Sequence, residues 1–174
     1  MIYNSKIQTR KLNTFILVCI LCACISCKVS YSLKGGKIPG ETFSIENFEN
    51  IAPLGSPAIS IWVQDLLRDR LLKETSLKYK SEDGDAHFTG TIVSYLISPV
   101  LGTGSTTADL NRLTISLKVN YSNGVNEKND FTKTFTDFGD FKSTEDITVK
   151  EEELIETIGN KLVSQIFNQV LVDW

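Results

Sequence analysis

Hydrophobic and polar positions change their period along this chain, and the changes mark its elements. Leu113, Ile115, Leu117, Val119 and Tyr121 alternate with Thr114, Ser116, Lys118 and Asn120. A period of two is that of a strand with one dry face and one wet face. His87 to Ser98, rich in Thr, Ile, Val and Tyr, predicts another long strand, ended by Pro99. Phe131 to Phe138 predicts a third, with Phe131 and Phe135 as its large residues. Shorter strands are expected at Thr42 to Phe48 and Leu77 to Lys80. Between them, Ser81 to Asp85 and Ser122-Asn123-Gly124 supply turns, and Leu101 to Asp109, with its Gly-Thr-Gly-Ser-Thr-Thr run, a mobile loop.

Two stretches repeat instead every three or four residues. Ile59, Val63, Leu66, Leu67 and Leu71 form one apolar stripe behind Ser56-Pro57, a good cap and a proline suited to the first helical position. Asp65, Arg68, Asp69 and Lys73 fall mostly on the other side, so the helix is amphipathic and runs to about Glu74. Ile155, Ile158, Leu162, Ile166 and Val170 form the second stripe, with Phe167 beside it. Thr148-Val149-Lys150-Glu151 before it fits a capping box. The order is strand, helix, a run of strands, helix. That predicts an α+β fold, two amphipathic helices packed on one face of a mostly antiparallel sheet of four strands or slightly more.

The N-terminus follows a different rule. Thr14 to Cys27 is an apolar, uncharged run ending in a cysteine cluster, preceded by Lys6, Arg10 and Lys11. No acidic residue stands before Glu41. The run is shorter than the roughly 20 residues of a comfortable membrane span. It has the form of a secretory signal, and its terminal cysteine is that of a bacterial lipoprotein signal, in which the thiol is acylated. Cys24 follows Leu21-Cys22-Ala23, and Cys27 follows Cys24-Ile25-Ser26. Local pattern favours Cys24 and length favours Cys27. The expected organisation is a signal at 1–26, a lipidated linker at 27–40 and one domain at 41–174.

Composition then narrows the function. All four cysteines lie at or before Cys27, so the domain has neither a disulfide framework nor a cysteine metal site. Of 18 basic and 21 acidic residues, the signal takes three basic ones, which leaves the mature chain at a net charge of −6. An acidic domain is a poor ligand for nucleic acid, and none is expected as partner.

Several segments, in order, resemble one family. They are CKVSYSL after the signal, LLRDRLL in the first helix, FTGTIVSYLISP and NRLTISLKVNY followed by SNG in the strands, and the closing IFNQVLVDW. Together they resemble the LptE family of outer-membrane lipopolysaccharide-assembly lipoproteins, in its Bacteroidetes-type form. The resemblance covers nearly all of the mature chain. It implies two helices against a four-stranded sheet. It also implies residence inside a large β-barrel protein, LptD, which the lipoprotein helps to fold and to deliver lipopolysaccharide. In this form the lipidated cysteine stands just before the Tyr-Ser pair, here Tyr31-Ser32, which favours Cys27 over Cys24. Leu33-Lys34 departs from the Phe-Thr-like pair expected there.

Candidate chemistry is sparse. His87 is the only histidine, at a strand start, and no Ser-His-Asp or Cys-His arrangement is expected around it. Glu82-Asp83-Asp85 lacks the ligand spacing of a calcium loop and reads as a solvated turn. Gly102-Thr103-Gly104 is not followed by the Lys-Ser/Thr of a phosphate loop. The protein is therefore not expected to be an enzyme and needs no cofactor. Arg112, Thr114, Ser116 and Lys118 share the wet face of their strand, and Lys78 and Lys80 share a face of theirs. If that sheet face is uncovered, Lys78, Lys80, Arg112 and Lys118 are candidates for lipopolysaccharide phosphates. Tyr95, Trp62 and Trp174 are candidates for a protein interface or for packing. Two functions remain, a lipoprotein plugging a partner barrel and a structural lipoprotein that tethers or caps another envelope complex.

Overall fold

A computed structural model describes residues 37–100 and 109–172. The expected signal with Cys24 and Cys27, most of the linker, the loop at 101–108 and Trp174 lie outside the described residues. The elements in order are β1 (Thr42–Ile45), β2 (Glu49–Asn50), α1 (Ala58–Glu74), β3 (Lys78–Tyr79), β4 (Ala86–Val100), β5 (Leu110–Asn123), β6 (Phe131–Lys142) and α2 (Ile147–Val172). They build an α+β fold, with both helices on one face of a six-stranded sheet.

The sheet order is β3-β1-β4-β5-β6, with β2 beside β4. The long strands β4, β5 and β6 form an antiparallel meander. β1 pairs in parallel with both β3 and β4, and β2 is parallel to β4. The sheet is mostly antiparallel, as expected, but mixed at its β1 side, because α1 carries the chain back over the sheet between β1 and β3 as a crossover does. The strand expected at Thr42 to Phe48 ends at Ile45, and the short β2 follows beyond Phe48. Phe48 leaves the ladder and lays its ring over Gly90, where a Cβ would sit 2.6 Å from ring carbons. Its N–H donates to Gln64 Oε1 of α1 at 2.9 Å.

The alternation along β5 holds throughout: Leu113, Ile115, Leu117, Val119 and Tyr121 are all buried under the helices. From α1 they meet Ile59, Val63, Leu67 and Leu71, and from α2 Leu154, Ile158, Leu162, Ile166, Phe167 and Val170. The helices touch where Gly159 lets Trp62 and Leu66 approach; a Cβ there would fall 2.4 Å from the indole. Arg70 of α1 also reaches over Phe167 and bonds Ser164 of α2.

Pro99 does not end its strand. β4 continues to Val100, and Pro99 pairs with Asn111. Beyond β2 only β5 flanks β4 among the described residues, and a strand with one neighbour tolerates a proline. A bulge at Val93 shifts the register between Ile92 and Ser94, so Tyr95 rather than Ser94 turns inward. The expected capping box at Thr148 is replaced by a cap two residues earlier, at Asp146. Asp146 Oδ1 accepts the Thr148 N–H at 2.9 Å, and the Asp146 carbonyl accepts those of Val149 and Lys150. Asp is an equally good cap and stands where the strand's exit loop ends. Glu151, freed from that task, accepts the Tyr95 hydroxyl at 2.8 Å.

Candidate functional site

Because the helices occupy only one face, the other face of β4-β5-β6 is open among the described residues. Its composition follows from register. Cross-strand rows are Thr89-Asn120-Thr132, Thr91-Lys118-Thr134, Ser94-Ser116-Thr136, Leu96-Thr114-Phe138 and Ser98-Arg112-Asp140. The middle of the face is a grid of hydroxyls and amides. Its members bond each other: Ser116 Oγ and Thr136 Oγ1 are 2.9 Å apart, and Thr132 donates to Asn120 Oδ1 at 2.9 Å. Neutral hydroxyls on short side chains lose little rotamer entropy in a contact and both donate and accept.

Lys118 is the cation at the centre of the grid. It borders a shallow cleft of about 350 Å³ with Thr89, Thr91, Asn120 and Thr132. Among the described residues it makes no ion pair. Arg112 differs. Its Nε and a terminal nitrogen take both oxygens of Asp140, at 2.7 and 2.9 Å, and its guanidinium lies 3.6 Å from the Phe138 ring centroid. The paired charge holds the Asp140 carboxyl below the usual range. Lys161 of α2 reaches around the β6 edge to Asp137, to the Phe138 carbonyl and to the Phe138 ring. Leu96 and Phe138 therefore form an exposed apolar row next to a satisfied ion pair.

Lys78 and Lys80 alternate onto the same open side as Ser44 and His87, at the β3 edge. Lys80 Nζ is engaged by the Asp83 carbonyl at 3.0 Å. With strands about 4.8 Å apart and a rise of about 3.3 Å per residue, Lys80 stands roughly 20 Å from Lys118, and Arg112 about as far on the other side. The four cations share a face without forming one cluster.

The structure brings together one constellation not expected from sequence. Ser44 Oγ and His87 Nδ1 are 2.8 Å apart, and His87 Nε2 lies 3.7 Å from Glu46 Oε2. The trio has the composition of a hydrolytic triad but not its geometry. Ser44 is fully buried, its oxygen already accepts the Gly84 N–H at 3.0 Å, and 3.7 Å is too long for the hydrogen bond that would orient the imidazole. Beside it Asp85 accepts the N–H groups of Glu41 and Thr42, at 2.8 and 3.0 Å. These bonds lower its carboxyl pKa, so this part of the acidic turn clasps β1. Parallel pairing of β1 with β4 creates both sites, and no local pattern signals it. Tyr95, an interface candidate in sequence, is buried, and burial with the Glu151 carboxylate pushes its hydroxyl pKa far up. Trp62 packs on Gly159 between the helices.

Solved structures share the fold. A minor lipoprotein of Acinetobacter baumannii is 14% identical, with a TM-score of 0.51 over 76% of this chain and 94% of that one. A protein of Xanthomonas campestris is 11% identical, with a TM-score of 0.53 over 78% and 86%. A hypothetical protein of Chlamydia trachomatis, 6% identical, has a TM-score of 0.50 over 77% and 99%. At these identities the likeness is one of fold alone. No curated protein matches the chain. The family model LptE, lipopolysaccharide-assembly, matches residues 40–170, from just before β1 to the last turn of α2, and the chain belongs to that family.

Proposed function

We propose that this protein is a lipid-anchored outer-membrane plug and assembly partner of an LptD-type β-barrel, acting in lipopolysaccharide transport to the outer leaflet. The observation that carries the reading is the open face of β4-β5-β6, whose middle is a grid of neutral hydroxyls and amides around Lys118. The interior of a wide barrel is wet and polar, and a lodged domain must meet it with hydrogen-bonding surface rather than with grease. A grid of Thr, Ser and Asn does so without the desolvation cost of charges. Cys27 is the proposed lipid attachment, with Cys24 the alternative. No helix among the described residues is long and apolar enough to cross a membrane, which is in keeping with a lipid anchor. Lys78, Lys80, Arg112 and Lys118 are the proposed contacts for lipopolysaccharide phosphates. Lys118 ranks first: among the described residues neither its side chain nor that of Lys78 has an ion-pair or hydrogen-bond partner, and of these two only Lys118 lines a polar cleft.

The contact is permanent and buries well above about 2,000 Å² in total. The detergent-extracted protein is therefore expected to co-purify at constant stoichiometry with one large outer-membrane β-barrel, even in molar salt. Depleting it lowers folded barrel and then surface lipopolysaccharide. A free monomer from gently solubilised membranes, with barrel levels unchanged on depletion, refutes the plug. For the anchor, Cys27→Ala abolishes acylation and leaves an uncleaved or mislocalised precursor. Mass spectrometry of the mature N-terminus reads it, and an acylated peptide beginning at Cys24 moves the assignment.

A further inference from the structure

Asn123 and Gly124 form the chain's one Asn-Gly dipeptide. In a free chain this pair is chemically short-lived, since glycine leaves its own backbone nitrogen unhindered. That nitrogen loses its proton and attacks the asparagine Cγ. A C–N bond forms, ammonia leaves, and water opens the resulting cyclic imide to aspartate or isoaspartate. Nothing is oxidised or reduced, and the net change is one water consumed and one ammonia released.

The fold holds both reacting groups. Asn123 is 1% exposed. Its Nδ2 donates to the Pro39 carbonyl and to the Tyr121 hydroxyl, both at 2.9 Å. Its Oδ1 accepts the N–H groups of Val125 and Asn126, at 2.9 and 3.0 Å. The attacking nitrogen, that of Gly124, is committed to the Asp85 carbonyl at 2.9 Å. Reaction requires that these bonds open and the side chain turn back on the main chain.

One part of this hold runs through the segment leading into β1. Pro39 supplies one acceptor, and Ile38, 3% exposed, packs into the core. Gly40, at φ +109°, sits against Asp85, and the Asp85 carboxylate grips Glu41 and Thr42. Releasing residues 37–40 thus removes one of the two acceptors of the amide N–H groups and loosens the residue that restrains Gly124. Conversion to aspartate would then replace two donors by an acceptor facing the Pro39 carbonyl, which opposes re-docking.

We propose that Asn123-Gly124 is a deamidation site kept inert by the docked segment at 37–40, so that its conversion irreversibly marks chains in which that segment has been released. The test is the appearance of Asp and isoAsp at 123 in the full-length protein at neutral pH, followed by peptide mass spectrometry. The folded protein is expected to react at least about 100-fold more slowly than the same chain in concentrated urea. Ile38→Ser, which undocks the segment without touching the site, raises the folded rate about tenfold, and Tyr121→Phe about fivefold. Leu162→Ala, a cavity in α2 that lowers global stability, changes it by less than about twofold. Near-ultraviolet circular dichroism checks that each variant is folded. Equal rates in folded and unfolded wild type, no acceleration by Ile38→Ser, or acceleration by Leu162→Ala as large as that by Ile38→Ser would each overturn the proposal.

Discussion

At the scale of single residues, neighbours one position apart face opposite solvents. Leu117 is fully buried beneath the helices, while Ser116 bonds Thr136 on the open face. Leu117→Asp is expected to cost several kcal/mol in urea melts, or to unfold the domain, because a carboxylate there has no partner. Ser116→Asp should cost well under about 1 kcal/mol. Gly84 is a second such position. A Cβ there would fall 2.4 Å from the backbone of Phe43 and Ser44, whereas one at Gly124 meets nothing within 4 Å. Gly84→Ala should destabilise by about 2 kcal/mol or more, and Gly124→Ala by a few tenths. The five inward residues of β5 were legible in sequence because alternation is local. The need for glycine at 84 was not, since it arises from a turn crossing a strand 40 residues earlier. Likewise Arg112 looked free because Asp140, its partner, is a neighbour only once the β5-β6 register is set.

At the scale of elements, boundaries set by side chains within a segment were harder to read than the segments. α2 was evident from its stripe, but two good caps, Asp146 and Thr148, stood two residues apart. Only Asp146 is in place to accept the helix N–H groups, and doing so lowers its carboxyl pKa. Asp146→Ala should therefore lower the melting temperature clearly more than Thr148→Ala; the opposite order would restore the capping box. Sequence alone ends β4 at Pro99, because a proline argues against a strand with neighbours on both sides. That β4 has one neighbour there depends on where β2 ends, which no local pattern reveals. Similarly, the parallel pairing of β1 joins residues more than 30 positions apart, and nothing in TFSI distinguishes it from an antiparallel edge.

At the scale of the whole molecule, two carboxylates tie distant parts together, Asp85 to β1 and Asp140 to Arg112, and a third, Asp146, caps α2. All three have folded pKa values lowered by what they accept. A lowered value means that the unfolded chain takes up protons first. Their contribution is therefore complete above the ordinary carboxylate value of about 4 and is lost as pH falls through the lower folded values. Urea midpoints should stay level from neutral pH to about 5 and drop below about 4, with Asp85→Asn and Asp140→Asn together flattening the drop. The mixed sheet also sets an order in time. β4, β5 and β6 are joined by short connections and can zip together as successive hairpins, whereas β1 has no strand to pair with until Lys78 and Ala86 are available. Local pairings form ahead of distant ones, since less loop entropy is lost. Val119→Ala is thus expected to slow refolding, while Ile45→Val mainly speeds unfolding, in stopped-flow chevrons. A chain delivered N-terminus first would carry its first strand single and unprotected until some 40 further residues had followed, and only then could the Asp85 clasp close on it.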